Sequence, residues 1–131
     1  MKKEQQKLVV LIVEDEQPLL AVIKKKLELS GFDTISARTV NQALDYLESV
    51  DKVDVIWLDH YLIGREDGLD FVVKVKDNKQ WKKIPIFVVS NTASAEKTHA
   101  YLELGISKYY TKANYNLSQI IYDIKILLGV K

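Results

Sequence analysis

The chain has no cysteine among its 131 residues, which excludes disulfides and thiolate metal sites alike. An excess of charge of either sign is also missing. The formal net charge is +1, so no global field directs the protein to nucleic acid or to a membrane surface. No apolar run approaches the length that spans a bilayer. Residues 1–7 are polar and lack the apolar centre of a signal peptide, which makes them a flexible extension and the protein a cytoplasmic one by expectation. Repeats, low-complexity segments and linkers are absent too. The only two histidines, His60 and His99, are not spaced as a ligand pair, and both are expected at the surface.

What is present is an alternation of strand and helix signals within a length that suits one domain, placed at 8–129. Its centre is Val53-Asp54-Val55-Ile56-Trp57-Leu58-Asp59, an apolar run with a carboxylate at its C-terminal end. Such a run suits a strand buried on both faces, as in the middle of a parallel sheet. Leu8 to Val13 ends in the same way, in Glu14-Asp15-Glu16. Phe32 to Ala37, Ile86 to Val89 and Ser107 to Thr111 complete five strands, the second near an edge because Asp33 and Thr34 interrupt it.

Helices fall between and after them. Pro18 opens one that carries Leu19, Leu20, Ile23 and Leu27 inward and stops at Gly31. Thr39 and Gln42 have capping-box spacing ahead of Ala43, Leu44 and Leu47. Further helices are expected from about Leu69 to Asp77 and from Ala95 to Leu104. A last one opens at Asn116 and Gln119, with a stripe of Leu117, Ile120, Ile121, Ile124, Leu127 and Leu128. Five βα units imply right-handed crossovers and a three-layer, doubly wound α/β domain. The expected sheet is five-stranded, parallel and flavodoxin-like, with strand order 2-1-3-4-5.

In such a sheet the ligand crevice lies beyond the carboxyl ends of the strands. The first strand leaves Glu14 and Asp15 there, the third Asp59, the fourth Ser90 and the fifth Lys112. Three carboxylates at one edge call for a cation, and hard oxygen ligands favour Mg²⁺. An ammonium and a hydroxyl opposite could hold phosphoryl oxygens. A carboxylate in that frame can accept a phosphoryl group as an acyl phosphate.

These residues, together with Asp67-Gly68, Tyr109 three before Lys112, and Leu102-Glu103-Leu104-Gly105, resemble a response-regulator receiver domain of two-component signalling from Lys7 to Leu128. By that resemblance Asp59 takes a phosphoryl group from a phosphohistidine on a sensor histidine kinase or phosphotransfer protein. Asp15 and Asp59 ligate Mg²⁺, with Glu14 acting through water and the Tyr61 backbone carbonyl as a further ligand. Lys112 and Ser90 hold the phosphoryl group. Tyr109 turns inward behind Ser90 and alters the surface made by the fourth helix, fifth strand and fifth helix. A downstream protein partner reads that surface, with neither direct nucleic-acid nor membrane contact, and it leaves room for a homodimer. The resemblance implies a regulator that catalyses only its own phosphoryl transfer and slow autodephosphorylation.

Ala113 follows Lys112 where the family usually has proline, and Leu62-Ile63-Gly64 replaces its common Met-Pro. The alternative is a receiver-like interaction module not regulated by phosphorylation; such modules normally lose an acidic residue, the acceptor or the lysine, and none is lost here. A flavin carrier is disfavoured because Glu14-Asp15-Glu16 would repel a flavin phosphate. A two-aspartate phosphatase would need a second Asp two residues after Asp15, where Gln17 stands. Lys74, Lys76, Lys79, Lys82 and Lys83 around Trp81 read as a solvated helix face. Lys112, at a strand tip, is expected to be partly solvated and to matter more for signalling than for folding.

Overall fold

The computed structural model describes residues 7–91 and 94–130. Except for Lys7, the expected N-terminal extension lies outside these residues. Five strands, β1 (Val9–Val13), β2 (Asp33–Ala37), β3 (Val55–Leu58), β4 (Ile86–Ser90) and β5 (Lys108–Thr111), alternate with five helices. The helices are α1 (Gln17–Leu29), α2 (Val40–Ser49), α3 (Gly68–Lys76), α4 (Ala95–Glu103) and α5 (Leu117–Leu128). The strands form one parallel sheet in the order β2-β1-β3-β4-β5. The expected order is the observed one, with β2 at the edge.

Alternating side chains along each strand feed two cores. Leu11, Ile56, Leu58, Ile86 and Val88 pack with Ala43, Leu47, Phe71, Val72, Val75 and Tyr101 on the α2–α3–α4 face. Val10, Ile12, Trp57, Phe87 and Val89 pack with Ile23, Leu27, Ile120, Ile121 and Ile124 on the α1–α5 face. All four residues of β3 are fully buried, as its unbroken apolar sequence requires. Truncating Trp57, the largest of them, would cost about 3–5 kcal/mol.

Local chemistry accounts for the helix ends. Pro18 sits in the first turn of α1, and the Asn116 side chain caps α5 by accepting from the Gln119 amide. At α2, Thr39 accepts from the Gln42 amide, but Gln42 returns its side-chain oxygen to the Arg38 amide rather than to that of Thr39. The complete capping box is at α3 instead, where Asp67 and Asp70 bond each other's backbone amides.

Three expectations are corrected. Leu127 stands 50 % exposed, outside the buried stripe of α5. The five lysines do not share a helix face: α3 ends at Lys76, and Lys79, Lys82 and Lys83 lie in the turns before β4. Trp81 in that segment is half-buried and packs on the core, and Lys76 donates to the Lys82 carbonyl. His60, expected at the surface, is 3 % exposed. It follows a fully buried strand without a turn, so its side chain enters the α4 side of the sheet. No helix of the described residues is long and apolar enough to cross a membrane.

Candidate functional site

The site follows from strand register. Val13 stands beside Leu58, and Ser90 beside Thr111, so the residues after these strands emerge at one edge. The ladder continues one step past the strand ends. The Glu14 amide donates to the Ala37 carbonyl, the Asp59 amide to Val13 and the Lys112 amide to Ser90. Three side chains far apart in sequence are thereby fixed by backbone hydrogen bonds at 2.8–2.9 Å.

Glu14, Asp15 and Asp59 each offer a carboxylate oxygen within 4.8 Å of the others. Glu14 is 1 % exposed and Asp59 5 %, while Asp15 is half-buried. Lys112 places its ammonium 3.2 Å from Glu14 Oε1 and 3.7 Å from Asp59 Oδ1. Burial, and then the neighbouring Glu14 charge, push the Asp59 carboxyl up to about 7, against the opposing pull of Lys112 and of the His60 backbone amide that donates to it. Oδ1 of Asp59 has no hydrogen-bond partner among the described residues. A buried carboxylate oxygen left open beside two further carboxylates is the donor set of a hard divalent cation. The residues present therefore fit such an ion.

Ser90 is fully buried at the tip of β4. The Tyr109 hydroxyl hydrogen-bonds with the side chains of Ser90 and Thr98, which ties the tip of β4 to β5 and α4. Tyr61 is half-exposed on the loop after β3, and its hydroxyl accepts from Lys97 Nζ at 2.9 Å. The Lys97 ammonium also lies 4.8 Å from the centre of that ring. Glu14, Asp15, Asp59, Ser90, Tyr109 and Lys112 are thus gathered at one edge, with Tyr61 beside them.

Two residues of this region, Arg38 and Tyr101, escaped the sequence reading, and a third, His60, was expected at the surface. Arg38 donates two hydrogen bonds from its guanidinium to the Asp15 carbonyl, which holds the loop after β1. His60 Nδ1 lies 2.6 Å from the Tyr101 hydroxyl of α4, inside the core. Burial holds the His60 imidazole below its ordinary pKa, against Asp67 and Asp70. Tyr101 had a signal of its own, as a large aromatic in an otherwise mostly polar helix. Gly68 is required by the same packing: its amide donates to the His60 carbonyl, and a Cβ there would collide with the Tyr101 hydroxyl and crowd Asp59 and His60.

The family model described as the response regulator receiver domain matches residues 10–125. The transcriptional regulatory protein CpxR of Escherichia coli (strain K12) is 29 % identical over 91 % of this chain and 48 % of its own length. The KDP operon transcriptional regulatory protein KdpE of the same strain is 35 % identical over 79 % of this chain and 44 % of its own. The chain thus spans about half the length of the curated relatives it matches. Among solved structures, the Mn²⁺-bound form of response regulator Rcp1 superimposes with a TM-score of 0.79 at 25 % identity, covering 92 % of this chain and 93 % of that one.

Proposed function

The chain belongs to the response regulator receiver domain family of two-component signalling, and we propose that within it Asp59 is the phosphoacceptor. The observation that carries this reading is the Asp59 carboxylate itself. It is buried at the end of the central strand, has no hydrogen-bond partner at Oδ1 among the described residues, and has the Glu14 carboxylate and the Lys112 ammonium beside it.

An Asp59 oxygen attacks the phosphorus of a phosphohistidine on a sensor histidine kinase or phosphotransfer protein. The P–N bond breaks, and the imidazole nitrogen leaves with the electron pair. Asp59 becomes an acyl phosphate. Asp15, Asp59, Glu14 through water and the Tyr61 backbone carbonyl are the ligands proposed for Mg²⁺, the hard cation this donor set suits. When bound, that ion offsets the charge of the acidic cluster and of the incoming phosphoryl oxygens. The Lys112 ammonium moves from Glu14 and Asp59 to a phosphoryl oxygen, and the Ser90 hydroxyl donates to another.

The Ser90–Tyr109 bond links that event to the surface of α4, β5 and α5. A downstream protein partner, or a second copy of the chain, that prefers the rearranged surface shifts the population toward it. The exposed apolar residues Leu102, Ile126 and Leu127 on this face suit such a contact. We place the domain in the cytoplasm, without direct nucleic-acid contact of its own, acting as a regulator with slow autodephosphorylation rather than as a turnover enzyme.

Acetyl phosphate and Mg²⁺ should add one phosphate to the wild-type chain and none to Asp59→Ala, as read by intact-mass spectrometry. Labelling of Asp59→Ala, or of wild type without a divalent cation, would overturn the assignment.

A further inference from the structure

His60 touches the acceptor and α4 at once. Its backbone amide donates to the Asp59 carboxylate, while its imidazole runs the other way to the Tyr101 hydroxyl at 2.6 Å. The His60 and Tyr101 rings lie nearly perpendicular, with their centroids 5.7 Å apart. On its far side Tyr101 packs against Tyr109, also at 5.7 Å, and Tyr109 bonds Ser90. Two routes from the site therefore converge on one side chain: Asp59 through His60, and Ser90 through Tyr109.

That side chain is the one buried residue of α4. The rest of this nine-residue helix is exposed or half-buried, so its seat on the sheet depends on Tyr101. A short helix with a single buried anchor is easily displaced. The anchor is polar at its tip, and a buried hydroxyl and imidazole that lose each other are costly to leave unpaired. Small shifts of His60 must therefore be followed by Tyr101, or else break the pair.

We propose that His60 and Tyr101 are positioning residues, a buried polar link through which the state of Asp59 sets the seat of α4. The link rests on the phosphoacceptor reading above and adds a second arm beside Ser90–Tyr109. A phosphoryl group on Asp59 competes with the bond from the His60 amide and pulls on the loop from its first residue. The imidazole transmits that movement to Tyr101, and α4 shifts with it. Gly68 keeps the path clear, since any side chain there would occupy the place of the Tyr101 hydroxyl.

The test is deuterium uptake of the α4 amides, with and without acetyl phosphate and Mg²⁺, beside the extent of Asp59 phosphorylation in the same samples. In wild type, phosphorylation should change α4 uptake. In Tyr101→Phe, which keeps the ring, the chain should still take the phosphoryl group, but that change should shrink by about fivefold, the ratio for one hydrogen bond of ordinary net strength. His60→Asn, whose amide can stand in for Nδ1, should retain much of the response, and His60→Leu should not. The double variant His60→Leu/Tyr101→Phe removes both polar groups and guards against a folding defect from an unpaired partner. It should be folded, phosphorylated and uncoupled. A purely structural bond would alter α4 uptake equally in both states and leave the difference intact; that result, or a wild type that is phosphorylated without any α4 change, overturns the link. A wild type that takes no phosphoryl group overturns the functional reading, and the link with it.

Discussion

Lys112 reaches 98 residues back along the chain to place its ammonium 3.2 Å from Glu14 Oε1. Glu14 is almost wholly buried, so this contact offsets a charge that solvent hardly reaches. The same ammonium lies 3.7 Å from Asp59. One cation thus serves two carboxylates, and the site as a whole is short of positive charge.

That shortage gives the metal-free protein a pH dependence. The folded Asp59 carboxyl is raised from 3.8 to about 7, so the fold favours its protonated form. The favourable term is fully present below 3.8 and is lost as pH climbs towards about 7, where the buried group is forced to ionise. Asp59→Asn should therefore be more stable than wild type at about pH 8 by up to about 4 kcal/mol, with the gain gone in acid. Thermal unfolding across pH checks this. An equal gain at both ends of the range would contradict it.

A divalent cation should remove the same strain. At about 100 times its Kd, Mg²⁺ should stabilise wild type by about 2.7 kcal/mol, read as a concentration-dependent unfolding midpoint. Protons compete for Asp59, so the affinity should weaken as pH falls through about 7. Asp15→Asn should lose most of the effect. A midpoint that ignores Mg²⁺ in wild type would count against the metal site.

Lys112→Met should weaken the metal-free fold as well as the signal, because Glu14 and Asp59 lose their common counter-charge. The expected loss is about 1–3 kcal/mol near neutral pH, smaller with Mg²⁺ present. Urea unfolding measures it. Lys112 is partly solvated, as expected from sequence, at 19 % side-chain exposure, but the carboxylates it faces are buried, which is why folding enters. Unchanged stability would show the contact to be idle.

The loop after β3 should control the lifetime of the phosphoryl group. Hydrolysis needs a water in line with the leaving carboxylate, and Tyr61 offers no carboxylate or amide to hold one. Its ring is held by Lys97 through a 2.9 Å hydrogen bond and a cation–π contact. Tyr61→Asn should speed loss of phosphate several-fold after donor removal. Lys97→Ala should move the rate in the same direction by freeing the ring. Thr92, two residues after Ser90, lies outside the described residues. No change in either variant would show that the Tyr61 ring does not shield the phosphoryl group from water.

The fold was legible in the sequence because period and punctuation are local. The unbroken apolar run of β3, the polar interruption of β2 and the capping residue Asn116 each declare their place within a few positions. The acidic edge was legible too, since parallel strands bring their C-terminal residues together whatever the loops do. Tertiary structure alone decided what surrounds those residues. That Lys112 is nearer Glu14 than Asp59 depends on how β1 and β5 flank β3 and β4. That His60 is buried against Tyr101 depends on how α4 lies across the sheet, which nothing near His60 in sequence encodes. Contacts between residues 41 positions apart arise only when packing closes, and packing is a property of the whole chain.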